Sequence, residues 1–421
     1  MSTTPIVDPK IGQRIATMLF VTQSFGSAAL ISNATVNPII GAKLGGSDVL
    51  AGVPGTLLLI GAALASYPAG MLMQKIGRRP GLALGFFLGS VGMAIGGYAI
   101  VTQSFMIFLL GLLFIGGARG AVDQSRYAAA DANLPEARAR AISTVVFAGT
   151  VGAVGGPLLV APLGNLVESV FGFEVLAGPM IGGAVLFFLS GVLIWLFLRP
   201  DPRDVGRIIA DALKKDDDPP PAAARPWGEI VRLPGVQLAA LSMLIGQAMM
   251  VLVMTVTSLH MNHYNHPLAD ISLVIMAHTL GMYGLSFLTG TIADRFGRNA
   301  VVVLGALIMI AGNIVAPIWT DTLPIAIGLF LVGWGWNMSY IGGSSLLADN
   351  LVPSERGRYQ GAVELTVNLS SAVGSLSSGF ILAGLGFSVL NMMAIVLTTT
   401  PIIMVLWQRG RRLSQSTAES V

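Results

Sequence analysis

A ten-residue element, Gly70-Met-Leu-Met-Gln74-Lys75-Ile-Gly77-Arg78-Arg79, returns about 220 residues later as Gly290-Thr-Ile-Ala-Asp294-Arg295-Phe-Gly297-Arg298-Asn299. Each copy is a short basic turn between two long apolar stretches. A turn of this kind, duplicated at half the chain length, marks two homologous bundles of membrane helices rather than one soluble domain. A second marker has almost the same period. Ala130-Asp131-Ala-Asn-Leu-Pro135-Glu136-Ala-Arg138-Ala-Arg140 is matched by Ala348-Asp349-Asn-Leu-Val-Pro353-Ser-Glu355-Arg356-Gly-Arg358.

Composition supports a bilayer as the solvent. Of 421 residues, 54% are hydrophobic and 11% charged, against roughly 25% charged in an ordinary soluble domain. Spans of about 20 apolar residues, enough to cross about 30 Å of hydrocarbon, fall near 15–41, 47–73, 80–102, 104–130, 141–163, 176–198, 236–261, 269–293, 299–319, 323–348, 359–384 and 386–407. The expected fold is therefore an all-α integral membrane protein of twelve helices. Its two pseudo-symmetric six-helix bundles occupy 1–198 and 236–421, the second ending in a polar tail, and a linker covers 199–235. The linker opens with helical spacing and continues as Asp216-Asp217-Asp218-Pro219-Pro220-Pro221, an extended, solvated charge run.

Positive charge sets the expected orientation. Lys10, Arg14, Lys75, Arg78, Arg79, Arg138, Arg140, Arg295, Arg298, Arg356, Arg358, Arg409, Arg411 and Arg412 fall on one side, with seven basic residues between Arg199 and Arg232; Lys43 alone falls opposite. Both termini are thus expected in the cytoplasm of a plasma-membrane protein. The formal charge of +3 reports orientation and not nucleic-acid binding, since no basic stripe with interleaved aromatics lies outside the loops. The chain has no cysteine, which excludes disulfides, thiolate metal sites and cysteine nucleophiles. No Walker loop, nucleophile constellation or dinucleotide fingerprint appears, so neither a cofactor nor membrane enzymology is expected.

The duplicated turn resembles the loop signature of the major facilitator superfamily, Gly-x-x-x-Asp-Arg-x-Gly-Arg-Arg between helices two and three, with a weaker copy between helices eight and nine. The resemblance spans essentially the whole chain. It implies two six-helix bundles, a central cavity lined mainly by helices one, four, seven and ten, and alternating access. It also implies that Asp294, Arg298, Asp131 and Asp349 belong to cytoplasmic latches. The second copy keeps its acid, Asp294, whereas the first has Gln74 in that place. From the residues alone, Gly70 and Gly290 allow close helix approach, Gly77 and Gly297 permit the tight turn, and the cations anchor helix ends.

Ionisable groups inside the hydrocarbon are costly and point to function. Arg119, Asp123 and Arg126 are spaced by four and three residues, on one face of the fourth span, near Gln124 and Tyr127. The stripe reads as a substrate and coupling site, with Asp123 exchanging a proton or the arginines holding an anionic group. An internal Arg119–Asp123 ion pair with Arg126 snorkelling outward is the competing reading. Glu364 in the eleventh span is either a proton carrier or a latch partner for Arg78 in place of the acid that Gln74 lacks. His278 in the eighth span reads equally as a proton relay or as a buried hydrogen bond to a neighbouring helix. His260, His263 and His266 have a spacing that weakly resembles a metal cluster; they fan around the helix, and loop packing is the plainer account, so no metal site is expected. Trp334, Trp336, Asn337 and Tyr340 in the tenth span suit the wall of a cavity for an amphipathic or aromatic solute. Gln23, Asn33, Asn37 and Gln247 are further wall candidates, or else helix-to-helix hydrogen bonds.

In the fifth span, Gly152-Ala-Val-Gly155-Gly156-Pro157 resembles the Gly-x-x-x-Gly-Pro element of the family's drug:proton antiporters, with packing against the eighth helix as a structural account. The chain departs from that group in Val160-Ala161 and in carrying Gly111 where antiporters have a basic residue. The expected function is a secondary active transporter, a proton-coupled exporter of a small organic or amphipathic compound, working as a monomer with protons and the lipid bilayer as its other partners. Proton-coupled uptake of an organic anion, and a non-transporting receptor or assembly factor, are the alternatives.

Overall fold

The computed structural model describes residues 9–213, 225–351 and 353–419, and every described element is helical. The chain divides into two compact units, Met1–Asp218 and Pro219–Val421. The first unit holds α1 (Pro9–Gly45), α2 (Val53–Ile76), α3 (Arg78–Val101), α4 (Phe105–Val122), α5 (Ser125–Asp131), α6 (Pro135–Phe171), α7 (Ala177–Phe197) and the short α8 (Pro202–Leu213). The second holds α9 (Trp227–Val231), α10 (Pro234–His263), α11 (Leu268–Tyr283), α12 (Ser286–Phe296), α13 (Arg298–Val315), α14 (Thr322–Asp349) and α15 (Pro353–Glu419).

Among the described residues, 11 helical stretches are long and apolar enough to cross a membrane. The last of them, Leu365–Gly410, runs for 46 residues. It contains two helices that meet at Gly386, whose φ of 80° only glycine adopts freely. The twelve-crossing reading of the sequence therefore stands. Leu64, Met106, Val170 and Val373 are each more than 60% exposed, a coat of large apolar side chains that suits lipid and not water.

Glycine sets how closely the helices pack, and it does so in the same places in both units. A Cβ added to Gly92 in α3 would lie 2.8 Å from the carbonyl oxygen of Gly111 in α4; one added to Gly312 in α13 would lie 2.6 Å from that of Gly328 in α14. Likewise Gly156 in α6 meets the Ala28 oxygen of α1 at 2.7 Å, and Gly374 in α15 meets the Ala248 oxygen of α10 at 2.7 Å. Backbones this close gain dispersion contact that lipid cannot offer to bulkier seams. The internal duplication is thus carried by packing as well as by the loops.

Gly152 and Gly156 seat α6 on Ser27 and Ala28 of α1, inside their own unit. Among the described residues an added Cβ at Gly290 would meet nothing within 4 Å, and at Gly70 only Gln124 Nε2 at 3.7 Å, so neither glycine marks a close helix contact within its own unit. Gly77 and Gly297 do make the turns, with φ of 107° and 87° as the single residues between α2 and α3 and between α12 and α13.

Candidate functional site

In the first unit the turn at Gly77 is held by two acids from distant parts of the sequence. Asp131, the last residue of α5, accepts from Arg78 Nε at 2.9 Å. Asp201, just after α7, accepts from the backbone N–H groups of Arg78 and Arg79, both at 3.0 Å, and of Arg203 at 2.9 Å. It therefore caps the start of α3, which has no cap of its own. A side chain at position 77 would collide with the Asp201 carboxylate. Arg203 donates in turn to the carbonyl oxygens of Gln74 and Lys75 at 3.1 and 3.0 Å, and Arg79 lies over the Trp195 ring at 5.2 Å. In the second unit Arg298 Nε reaches Asp349 Oδ2 at 3.3 Å, and its Nη1 donates to the Ala293 carbonyl at 2.8 Å.

Arg78, Asp131, Arg298 and Asp349 are thus brought together pairwise, one arginine-aspartate pair in each unit. Asp131 and Asp201 supply negative charge at the first turn, where the sequence has Gln74. Sequence reading missed Asp201; the only available signal was an acid before a proline at the close of the sixth apolar span. The side chains of Asp294 and Glu364 lie outside the described residues, as does the acidic run at Asp216–Asp218.

The proposed stripe on the fourth span is interrupted. α4 ends at Val122, the chain turns at Asp123 and Gln124, and α5 begins at Ser125. The cause is local: three polar residues in succession offer the backbone other partners. Ser125 Oγ donates to the Val122 carbonyl at 2.7 Å, and Gln124 Nε2 reaches across to the Ser66 carbonyl of α2 at 3.2 Å. Arg126 is the second residue of α5. It stacks on Tyr127 at 5.0 Å and donates to that hydroxyl at 3.3 Å. Arg119 and Asp123 do pair, Nε to Oδ2, at 3.7 Å, with side chains 43% and 51% exposed. That is a loose contact between groups open to exchange of partners.

In the second unit an aromatic and amide face forms around Trp336. Its Nε1 donates to Gln247 Oε1 of α10 at 2.7 Å. Its ring stacks on Tyr340 with centroids 5.1 Å apart and planes at 27°, and meets Tyr283 edge-on at 6.2 Å. Asn337 belongs elsewhere. Its Nδ2 donates to the Met282 carbonyl at 2.7 Å and to Ser286 Oγ at 2.8 Å, while its Oδ1 accepts from Thr289 Oγ1 at 2.6 Å. It binds α14 to the break between α11 and α12 and is not a wall residue. Trp334 packs beside Ala293, Val301 and Met338. Two residues apart on one helix, Trp334 and Trp336 point about 200° apart.

The remaining candidates separate by role. Gln23, Asn33 and Asn37 lie on α1; Asn33 Nδ2 meets Met180 Sδ at 2.6 Å, and the side-chain oxygen of each of the three amides is buried without a hydrogen-bond partner among the described residues. His278 is fully buried and joins α11 to α14 through Nδ1 and the Leu329 carbonyl at 2.8 Å, with Nε2 unpartnered among the described residues. The three outer histidines disperse. His260 stacks on Phe387 at 4.1 Å, whereas His266 bridges the Thr320 carbonyl at 2.7 Å and Thr322 Oγ1 at 3.2 Å, with Asp270 at 3.8 Å. Among the described residues no group of three His, Cys, Asp or Glu side chains is disposed to hold a metal.

Comparison with known proteins agrees with this architecture. The sequence profile of the Major Facilitator Superfamily matches residues 17–268 and 238–420. The uncharacterized transporter YdeG of Bacillus subtilis is 36% identical over 95% of this chain and 93% of its own length. The riboflavin transporter RfnT of Brucella anthropi is 29% identical over 96% of this chain and 99% of its own. The crystal structure of the human organic anion transporter MFSD10 superposes with a TM-score of 0.61 at 17% identity, covering 93% of this chain and 99% of that one. With the duplicated arginine–aspartate pairs, the repeated glycine seams and these relatives in hand, the chain belongs to the Major Facilitator Superfamily and is a multi-pass membrane transporter.

Proposed function

We propose that the chain is a secondary active transporter working by alternating access, with its arginine-rich loops in the cytoplasm, and that it moves a small planar aromatic compound together with protons. The observation that carries this reading is the face at Trp336. An indole fixed by Gln247 and stacked on Tyr340 offers a rigid aromatic surface beside an amide, which suits a flat ring system with polar edges. The relation to a riboflavin transporter over nearly the full chain supports the same class of solute.

Coupling follows from the pair in α4. A carbonyl or acidic group of the solute takes Arg119 from Asp123, and a proton takes the place of Arg119 on the released carboxylate. Solute and proton so help one another to bind, which is the thermodynamic requirement for moving in the same direction. Export in exchange for protons needs them to exclude one another.

Right-side-out vesicles given radiolabelled riboflavin test the reading. An inward proton gradient should drive accumulation, and Asp123→Asn should abolish the gradient dependence. Substrate-induced collapse of a preset gradient in everted vesicles, with no accumulation in right-side-out ones, would instead establish exchange.

A further inference from the structure

Helix α14 begins at Thr322 and ends at Asp349, so its start lies at the end of the second unit opposite the Arg298–Asp349 pair. There the connection between α10 and α11 is tied to the start of α14 by three polar contacts. His266 Nε2 lies 2.7 Å from the Thr320 carbonyl oxygen, and His266 Nδ1 lies 3.2 Å from Thr322 Oγ1. The same hydroxyl donates to Asp270 Oδ2 at 2.9 Å. Three contacts need three hydrogens. A carbonyl oxygen and a carboxylate only accept, the hydroxyl supplies one hydrogen, and a neutral imidazole supplies one more. With the hydroxyl hydrogen on Asp270, both ring nitrogens of His266 face acceptors, and the arrangement closes only when the ring holds a second proton. The His266 side chain is 16% exposed, that of Asp270 is 43% exposed, and the two lie 3.8 Å apart. Water can therefore deliver the proton, and the imidazolium has a carboxylate beside it.

We propose that His266, Asp270, Thr320 and Thr322 form a proton-binding clasp between the α10–α11 and α13–α14 connections, a site separate from the Arg119–Asp123 pair. Binding a proton completes all three contacts. Releasing it leaves Nδ1 and Asp270 competing for the one Thr322 hydrogen, so one contact opens. The clasp therefore tightens in acid and loosens as pH rises through the range in which imidazole titrates. The other titratable groups around it are few. His260 and His263 of α10 interact electrostatically with each other, and His260 does so with His266. Tyr264 stands edge-on to His260, Asp321 lies between the two threonines, and α15 brings only the uncharged Phe387 against His260. The first unit shows the same tie without a titrating group. Lys43 Nζ, in the last turn of α1, reaches Glu174 Oε1 at 2.7 Å, and Gln103 Nε2, between α3 and α4, donates to Glu174 Oε2 at 3.1 Å. Lysine and glutamate are residue types that do not change charge near neutral pH. In the duplication α1 corresponds to α10, and the α3–α4 connection to that between α13 and α14, so equivalent connections carry a fixed charge pair in one unit and a titratable one in the other.

The test is nuclear magnetic resonance of full-length protein in nanodiscs carrying isotope-labelled histidine. The chain has 4 histidines, and the His266 signals are those lost in His266→Gln. In mildly acid buffer both His266 ring nitrogens should carry protons, and the ring should lose one as pH rises. Asp270→Asn and Thr322→Val should each move that midpoint about one pH unit toward acid, about a 10-fold loss of proton affinity, and Thr322→Ser should restore it. The two variants are independent, so misfolding of one leaves the other to decide. Hydrogen exchange of segment 316–321, compared with His266→Gln at each pH to cancel the intrinsic pH dependence, should slow in acid in the wild-type protein alone. A His266 ring that stays neutral in mildly acid buffer, or a midpoint indifferent to Asp270→Asn and Thr322→Val, overturns the proposal. Exchange with the same pH dependence in the presence and absence of His266 does so too. Failure of proton-driven riboflavin uptake with the His266 titration intact would count against the transport reading and leave the clasp standing.

Discussion

Arg78 donates from Nε to Asp131 Oδ2 at 2.9 Å, joining the turn after α2 to the end of α5. The corresponding pair in the second unit, Arg298 and Asp349, is longer at 3.3 Å and more exposed. Each pair ties the duplicated basic turn to the duplicated Ala-Asp element, so the two sequence repeats are the two halves of one contact.

Partly exposed ion pairs contribute little to stability, on the order of 0–1 kcal/mol, and their weight should therefore fall on conformational change. Asp131→Asn is expected to lower the apparent unfolding midpoint by no more than about 1–2 °C while reducing riboflavin uptake several-fold. Uptake rate and thermal scan on the same preparation check this. A large fall in stability with an unchanged rate would make the pair purely structural.

Asp201 should matter more for stability. It closes three backbone N–H groups, and loss of a helix cap costs about 0.5–2 kcal/mol. Asp201→Ala should therefore destabilise more than Asp131→Asn, and Asp201→Asn should recover part of the loss, since one amide oxygen still accepts. Chemical denaturation of the three variants gives the order directly.

Much of this arrangement is legible in the sequence because it repeats. The basic turns, the Ala-Asp elements and the alternation of apolar spans recur at one period, and each recurrence is a local pattern. Asp201 was not legible as the cap of α3, because the two α3 N–H groups it accepts from lie more than 120 residues away and nothing local marks a cap given to another helix. The break at Asp123 was hidden for the opposite reason. Spacings of three and four suggested a continuous helix face, and the competing side-chain bonds of Gln124 and Ser125 decide the backbone only once α2 is packed alongside. Asp131, which the resemblance implies as a latch residue, pairs with Arg78, a partner that no spacing in the sequence marks.

The glycine seams predict a sharp contrast. Gly92→Val and Gly312→Val should each cost about 3 kcal/mol or more, as bulk is forced between touching backbones, and should reduce folded yield on size-exclusion chromatography. Gly290→Ala meets nothing within 4 Å and should be tolerated, with a gain of about 0.5–1 kcal/mol from helix propensity.

Gln247→Leu leaves the Trp336 indole N–H without its acceptor. The loss of one hydrogen bond and of the fixed ring orientation should weaken riboflavin binding about 3- to 10-fold, seen as a raised KM with a nearly unchanged maximal rate. A fall in the maximal rate alone would place this contact in the conformational step.

The central claim, that solute and proton bind cooperatively through Arg119 and Asp123, is tested most directly by calorimetric titration of the purified protein with riboflavin in buffers of different ionisation enthalpy. The account predicts net proton uptake on binding, abolished in Asp123→Asn. Net proton release, or uptake that survives the substitution, would contradict it.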